Sequence, residues 1–227
     1  MSGGRSTPSG AVGVLGGTFD PIHLGHLLLA EQARDLLALA RVLFVPASRP
    51  PHKAVDDLTP AERRASMVAL AVADEPQYEL CRAELDRPGP SYTADTLEAL
   101  RDELGSDLVL ILSAESFRTL PTWREPRRIL EAARMAVLPR GGHPAPDAAW
   151  LGPDLADLAG RVTILDTPRI ELSGHDLRTR VAAGHSIRHL VPRAVEAYID
   201  DHSLYRDRGG SRTGPPERTP ASCPNQL

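Results

Sequence analysis

Between residues 11 and 206, short unbroken apolar runs alternate with longer segments whose apolar positions recur at helical spacing. The runs predict strands at 11–16, 41–46, 78–82, 107–112, 134–139 and 162–165, and the periodic segments predict helices at 24–39, 60–73, 92–104, 126–132, 174–183 and 192–202. Three of the runs, Val42-Leu43-Phe44-Val45, Leu108-Val109-Leu110-Ile111-Leu112 and Met135-Ala136-Val137-Leu138, show no alternation of polar and apolar residues. That pattern belongs to strands covered on both faces. Each run ends in polar or turn-forming groups: Pro46-Ala47-Ser48, Ser113-Ala114-Glu115 and Pro139-Arg140-Gly141-Gly142. The stretch 143–160 carries no regular period, and Pro192 stands at a plausible first position of the last helix.

Strand and helix in strict succession predict an α/β fold, a Rossmann-like doubly wound parallel sheet followed by two C-terminal helices. In such a sheet the ligand crevice lies at the carboxyl ends of the strands, so the loops named above converge on one cavity. Residues 1–10 and 207–227, rich in Gly, Pro, Ser and, in the second stretch, Arg, bury no apolar surface and are expected to be a disordered leader and tail around one domain at 11–206. Hydrophobic residues make up 41% of the 227 but aromatics only 4%, so Ala, Leu and Val must build the core. Net charge is −4 with no basic cluster, which argues against a nucleic-acid or membrane-binding face. Cys81 and Cys223 are too far apart in sequence and context for a disulfide framework or a Cys-based zinc site. No apolar h-region opens the chain and no run approaches a membrane span, so a cytoplasmic protein is expected. The sequence leaves room for a homo-oligomer.

The chemistry concentrates at Gly16-Gly17-Thr18-Phe19-Asp20-Pro21-Ile22-His23-Leu24-Gly25-His26. Gly16 and Gly17 remove side chains where backbone must approach a ligand and are free to take φ > 0, and the helix that follows aims N–H groups at an anion. His23 and His26, three residues apart, share one face of the helix start and donate to phosphate oxygens. A solvent-facing histidine pair and a metal site built from Asp20, His23 and His26 are the alternatives. A second block, Arg49-Pro50-Pro51-His52-Lys53, holds the only lysine of the chain on a stiffened loop, where an ammonium reaches leaving phosphates. In Ser91-Tyr92-Thr93-Ala94-Asp95-Thr96-Leu97, Ser91 or Thr93 is placed to cap a helix whose amides face the cavity. Trp123 offers an indole face for ring stacking or for packing under a loop. At Ser173-Gly174-His175-Asp176-Leu177-Arg178, Ser173 caps a helix while His175 and Arg178 present donors.

Taken together these blocks, across residues 12–205, resemble the nucleotidylyltransferase superfamily with its His-x-Gly-His signature, and within it the bacterial nicotinate mononucleotide adenylyltransferases. Ser91 to Leu97 and Trp123 separate the chain from the pantetheine-phosphate and cytidylyl branches, and a single lysine excludes a class I aminoacyl-tRNA synthetase. The resemblance implies an enzyme that transfers AMP from ATP to nicotinate mononucleotide with Mg²⁺ accompanying the ATP, no dedicated protein metal ligands, and catalytic roles for His23, His26, Lys53 and Arg178. It implies ATP contacts from Gly16, Gly17, Thr18, Phe19 and Ser173, and acceptor contacts from Thr93, Trp123 and Glu115. Asp20 is assigned to shaping the loop. Glu115 stands where the family has Asp, and Gly174 and His175 where it has Ser and Thr. These departures keep a nucleotide-sensing module without catalysis as an alternative, beside an enzyme using a nicotinamide mononucleotide or pantetheine-phosphate acceptor.

Overall fold

A computed structural model describes residues 10–50 and 58–206. The expectations for residues 1–9, for the tail 207–227 and for Lys53 lie outside the described residues. Six strands, β1 (Val12–Gly17), β2 (Arg41–Pro46), β3 (Tyr78–Leu80), β4 (Leu108–Ser113), β5 (Arg134–Leu138) and β6 (Val162–Ile164), form one sheet in the order β3-β2-β1-β4-β5-β6. Every pairing is parallel, with Val12 opposite Arg41 and Gly17 opposite Pro46. The helices are α1 (Leu24–Leu37), α2 (Ala61–Val72), α3 (Thr93–Leu104), α4 (Ala114–Thr119), α5 (Pro126–Ala132), α6 (Gly174–Ala182) and α7 (Arg193–Asp201).

The unalternating strands bury both faces, as their composition requires. Leu15, Val42, Phe44, Val109 and Ile111 point to one face, where Ala30 and Ala33 of α1, Met67 and Val68 of α2, Leu177 of α6 and Val195 of α7 pack on them. Val14, Leu43, Leu110, Leu112 and Val137 point to the other, beneath Leu97 of α3, Phe117 of α4 and Ile129 of α5. The doubly wound sheet covered on both faces is therefore as the sequence pattern predicts.

Two departures have local causes. Helix α1 stops at Leu37, short of residue 39, because Ala38 turns into the left-handed region (φ 50°) and returns its N–H to the carbonyl of Arg34. Helix α4 and the 3₁₀ turns Leu120–Thr122, Ala148–Leu151 and Pro153–Arg161 fall where no regular element is predicted. Such short pieces span too few turns for a 3.6-residue period to show. The chain winds outward from β1 through β2 to β3, then crosses back to lay β4 on the other side of β1. That reversal opens a crevice at the carboxyl ends of β1 and β4.

Candidate active site

The crevice is a cavity of about 800 Å³, lined by the ends of β1 (Gly16, Gly17), β2 (Val45, Ala47), β4 (Leu112, Ser113) and β5 (Pro139, Arg140), and by the first turns of α1, α3 and α6. Of the sequence-predicted residues, Gly16, Gly17, Thr18, Phe19, His23, His26, Thr93, Glu115, Trp123, Ser173 and Arg178 all line it. Gly16 and Gly17 do not use their freedom to take positive φ. Both continue β1, and the left-handed residue is Phe19 (φ 50°). The buried Phe19 ring lies where a Cβ on Gly17 would sit 3.1 Å from it, while Gly16 opens onto empty space.

His23 occupies the cap position of α1 and His26 its third residue, and the two rings stack with centroids 3.7 Å apart. The His23 N–H donates to His26 Nδ1 (3.3 Å), which places the His26 ring proton on Nε2 as a donor. Phe19 packs edge-on against His26 at 4.9 Å. His23 is 5% exposed, and among the described residues its Nδ1 has no hydrogen-bond partner. Burial, with the nearby positive charge of Arg140, lowers its pKa to about 4. The ring is therefore neutral near pH 7. Gly25 is explained by the same packing: a Cβ there would lie 3.0 Å from Cε1 and Nδ1 of His23.

Asp20 does shape the loop. Its buried carboxylate accepts from Tyr205 Oη (2.6 Å) and from the Thr59 N–H (3.2 Å), and its carbonyl accepts from Arg178 (2.7 Å). Among the described residues no group of three or more His, Cys, Asp or Glu side chains is placed to hold a metal ion, so the Asp20, His23 and His26 metal reading does not fit. Across the cavity Ser173 caps α6 as predicted, its Oγ accepting from the Asp176 N–H (3.1 Å). A Cβ on Gly174 would lie 2.7 Å from the carbonyl oxygen of Asp20, which accounts for glycine where the family pattern has serine.

On the remaining side the capping expectation fails. Tyr92 takes the cap position of α3 and makes no side-chain bond, Thr93 is the first helical residue, and the Ser91 hydroxyl accepts instead from the N–H groups of Ser48 (3.0 Å) and Arg49 (3.3 Å). Trp123 both packs and lines the cavity: it lies half-buried against the core under α3 to α5, and its indole N–H donates to Thr119 Oγ1 (3.1 Å). Glu115 is ion-paired with Arg140, whose guanidinium also donates to the Leu172 carbonyl (3.0 Å) just before α6. Arg140 was legible only as part of a strand-end loop, and nothing in its own sequence context marks it as the cation beside His23.

Arg64 is missing from the predicted site altogether. It is 1% exposed and donates to the carbonyls of Thr18 (2.7 Å), Ser48 (3.2 Å) and Thr59 (2.9 Å). Its signal is a charged residue on the buried stripe of α2, in phase with Met67, Val68 and Val72. Among the described residues the cavity thus combines three helix N-termini, two arginines and a histidine pair, with its carboxylates engaged by donors, a field that favours a polyphosphate.

The class that this fold and site define is confirmed by sequence. A cytidylyltransferase-like family model matches residues 14–180, and the chain belongs to that nucleotidylyltransferase family. Its relatives include a probable nicotinate-nucleotide adenylyltransferase of Roseiflexus sp. strain RS-1, 48% identical over 87% of this chain and 99% of that protein. The protein of the same name from Thermus thermophilus is 46% identical over 86% and 99% of the two chains. Among solved structures, the Plasmodium falciparum nicotinic acid mononucleotide adenylyltransferase complexed with NaAD superposes with a TM-score of 0.73 at 16% identity, covering 86% of this chain and 97% of that one.

Proposed function

We propose that this chain transfers AMP from ATP to nicotinate mononucleotide, giving nicotinate adenine dinucleotide and pyrophosphate. The observation that supports this most is the stacked His23 and His26 pair at the head of α1, lining the same cavity as the Ser173-capped head of α6. An acceptor phosphate oxygen attacks the α-phosphorus in line, the P–O bond to the β-phosphate breaks, and pyrophosphate leaves with the electron pair. No covalent enzyme intermediate is involved.

His26, with its proton on Nε2, donates to the α-phosphate, and neutral His23 stands beside it on the β-phosphate. The backbone at Gly16, Gly17, Thr18 and Phe19 lines the nucleotide, and the head of α6 at Ser173 meets the outer phosphates. Arg178 and Lys53 neutralise the leaving pyrophosphate. Thr93 at the open head of α3 and Trp123 receive the pyridine nucleotide, with an indole face for its ring. Glu115 acts on this side through Arg140. Mg²⁺ would come with the triphosphate as part of the substrate and would offset its negative charge. Catalysis is positioning and charge stabilisation.

Among the described residues no helix is long and apolar enough to cross a membrane. The cytoplasm is the compartment proposed for this activity. The test is pyrophosphate release with ATP and nicotinate mononucleotide, compared with nicotinamide mononucleotide and pantetheine phosphate as acceptors. His26→Ala is expected to lower turnover by about 10²-fold or more while the fold persists. Near-normal turnover in that variant overturns the mechanism.

A further inference from the structure

The triphosphate loop and the head of α3 both line the cavity, and one line of hydrogen bonds joins them. Arg64, fully buried on α2, donates to the Thr18 carbonyl in the triphosphate loop and to the Ser48 carbonyl after β2. The N–H groups of Ser48 and Arg49 donate to Ser91 Oγ, and the Ser91 N–H donates back to the Arg49 carbonyl (3.1 Å). The buried carboxylate of Glu84, next to the Ser91 side chain, accepts from Thr96 Oγ1 (2.8 Å) inside α3.

The acceptors of the Arg64 guanidinium are three carbonyls from two loops: Thr18 after β1, and Ser48 and Thr59 at the two ends of the connection from β2 to α2. A buried guanidinium hydrogen-bonded to loop carbonyls is a costly stabilising device: burial lowers its pKa, and the nearby Asp20 carboxylate offsets that only in part. Its rigid fork does fix the distance between the backbones it joins.

We propose that Arg64 and Ser91 are positioning residues for adenylyl transfer: through Ser48 and Arg49 they set the separation between the loop that holds the triphosphate and the helix head that holds the acceptor. This rests on the function proposed above. In-line displacement depends steeply on the separation of the two reacting groups, so slack in this bridge falls on the ternary complex rather than on ATP alone.

The experiment uses the full chain with Ser91→Ala, Ser91→Thr, Arg64→Lys and the Ser91→Ala/Arg64→Lys double variant. Ser91→Ala is expected to raise the KM for nicotinate mononucleotide about five- to fiftyfold and to lower kcat, with KM for ATP within about twofold of the parent. Ser91→Thr, which keeps the hydroxyl, is expected to restore most of the loss. The double variant is expected to lose no more than the worse single one, because both cut the same bridge. Equal changes in both KM values, unchanged kinetics in Ser91→Ala, or additive losses overturn the proposal. Backbone hydrogen exchange at Ser48 and Arg49 reads the bridge without any turnover. Faster exchange in both single variants is expected, and unchanged exchange in Ser91→Ala overturns the bridge even if Arg64→Lys does not fold. A parent chain that exchanges as expected but forms no nicotinate adenine dinucleotide overturns the functional reading instead.

Discussion

His23 illustrates how a side chain in a motif differs from the same side chain in a fold. The motif supplies an imidazole, and burial beside Arg140 decides its charge, lowering its pKa to about 4. In the unfolded chain the value is near 6.5, so the unfolded state takes up a proton first as pH falls. Stability is therefore unaffected by His23 well above about 6.5 and declines as pH drops from there toward about 4. The contribution is about 2 kcal/mol between roughly pH 8 and pH 5. Urea unfolding at the two pH values is expected to show a gap narrower by about that amount in His23→Asn; an unchanged gap contradicts a neutral, buried His23. In the proposed reaction the neutral ring supplies one donor and no formal charge, leaving charge neutralisation to Lys53, the arginines and the helix heads.

At the scale of elements, the site is made where helices begin. Helices α1 and α6 meet across the cavity, and they fit because Gly174 lets the Asp20 carbonyl oxygen come within 2.7 Å of where a Cβ would stand. Arg178, one turn into α6, holds that same carbonyl. Gly174→Ala is expected to push the loop and the helix apart, costing about 1–3 kcal/mol in denaturant unfolding and weakening the Arg178 bond. A variant as stable as the parent argues that the loop yields freely. Where the sequence departs from its family at Gly174, the structure supplies a steric reason. The head of α3 went the other way: hydroxyl residues at its start suggested a cap, and Ser91 instead ties down the loop after β2. Local sequence offers several partners to one hydroxyl, and only the neighbouring chain decides among them.

Across the whole molecule, the chain is closed onto its own first loop. Tyr205 lies 185 residues beyond Asp20 and donates to its carboxylate at 2.6 Å, so the end of the described chain buttresses the loop that leads into α1. Tyr205→Phe leaves that buried carboxylate with one donor fewer. Chemical denaturation is expected to show a loss of about 1–3 kcal/mol. A change near zero would mean that Asp20 holds the loop without the C-terminal segment.

The alternation of apolar runs and amphipathic segments was enough to set the order of strands and helices, because sheets and helices covered on known faces leave periods that survive in one dimension. The residue types and spacing at Gly16 to His26, and the matching blocks at Ser91, Trp123 and Ser173, were enough to bring the cavity's lining residues forward. What only the tertiary structure decided was the set of partners: Arg140 beside His23, Glu115 on Arg140, Tyr205 on Asp20, and Arg64 between the loops after β1 and β2. Those pairings join segments tens to nearly two hundred residues apart. A long-range hydrogen bond leaves no period in the sequence, since its geometry is fixed by packing elsewhere in the fold rather than by the residues on either side of it.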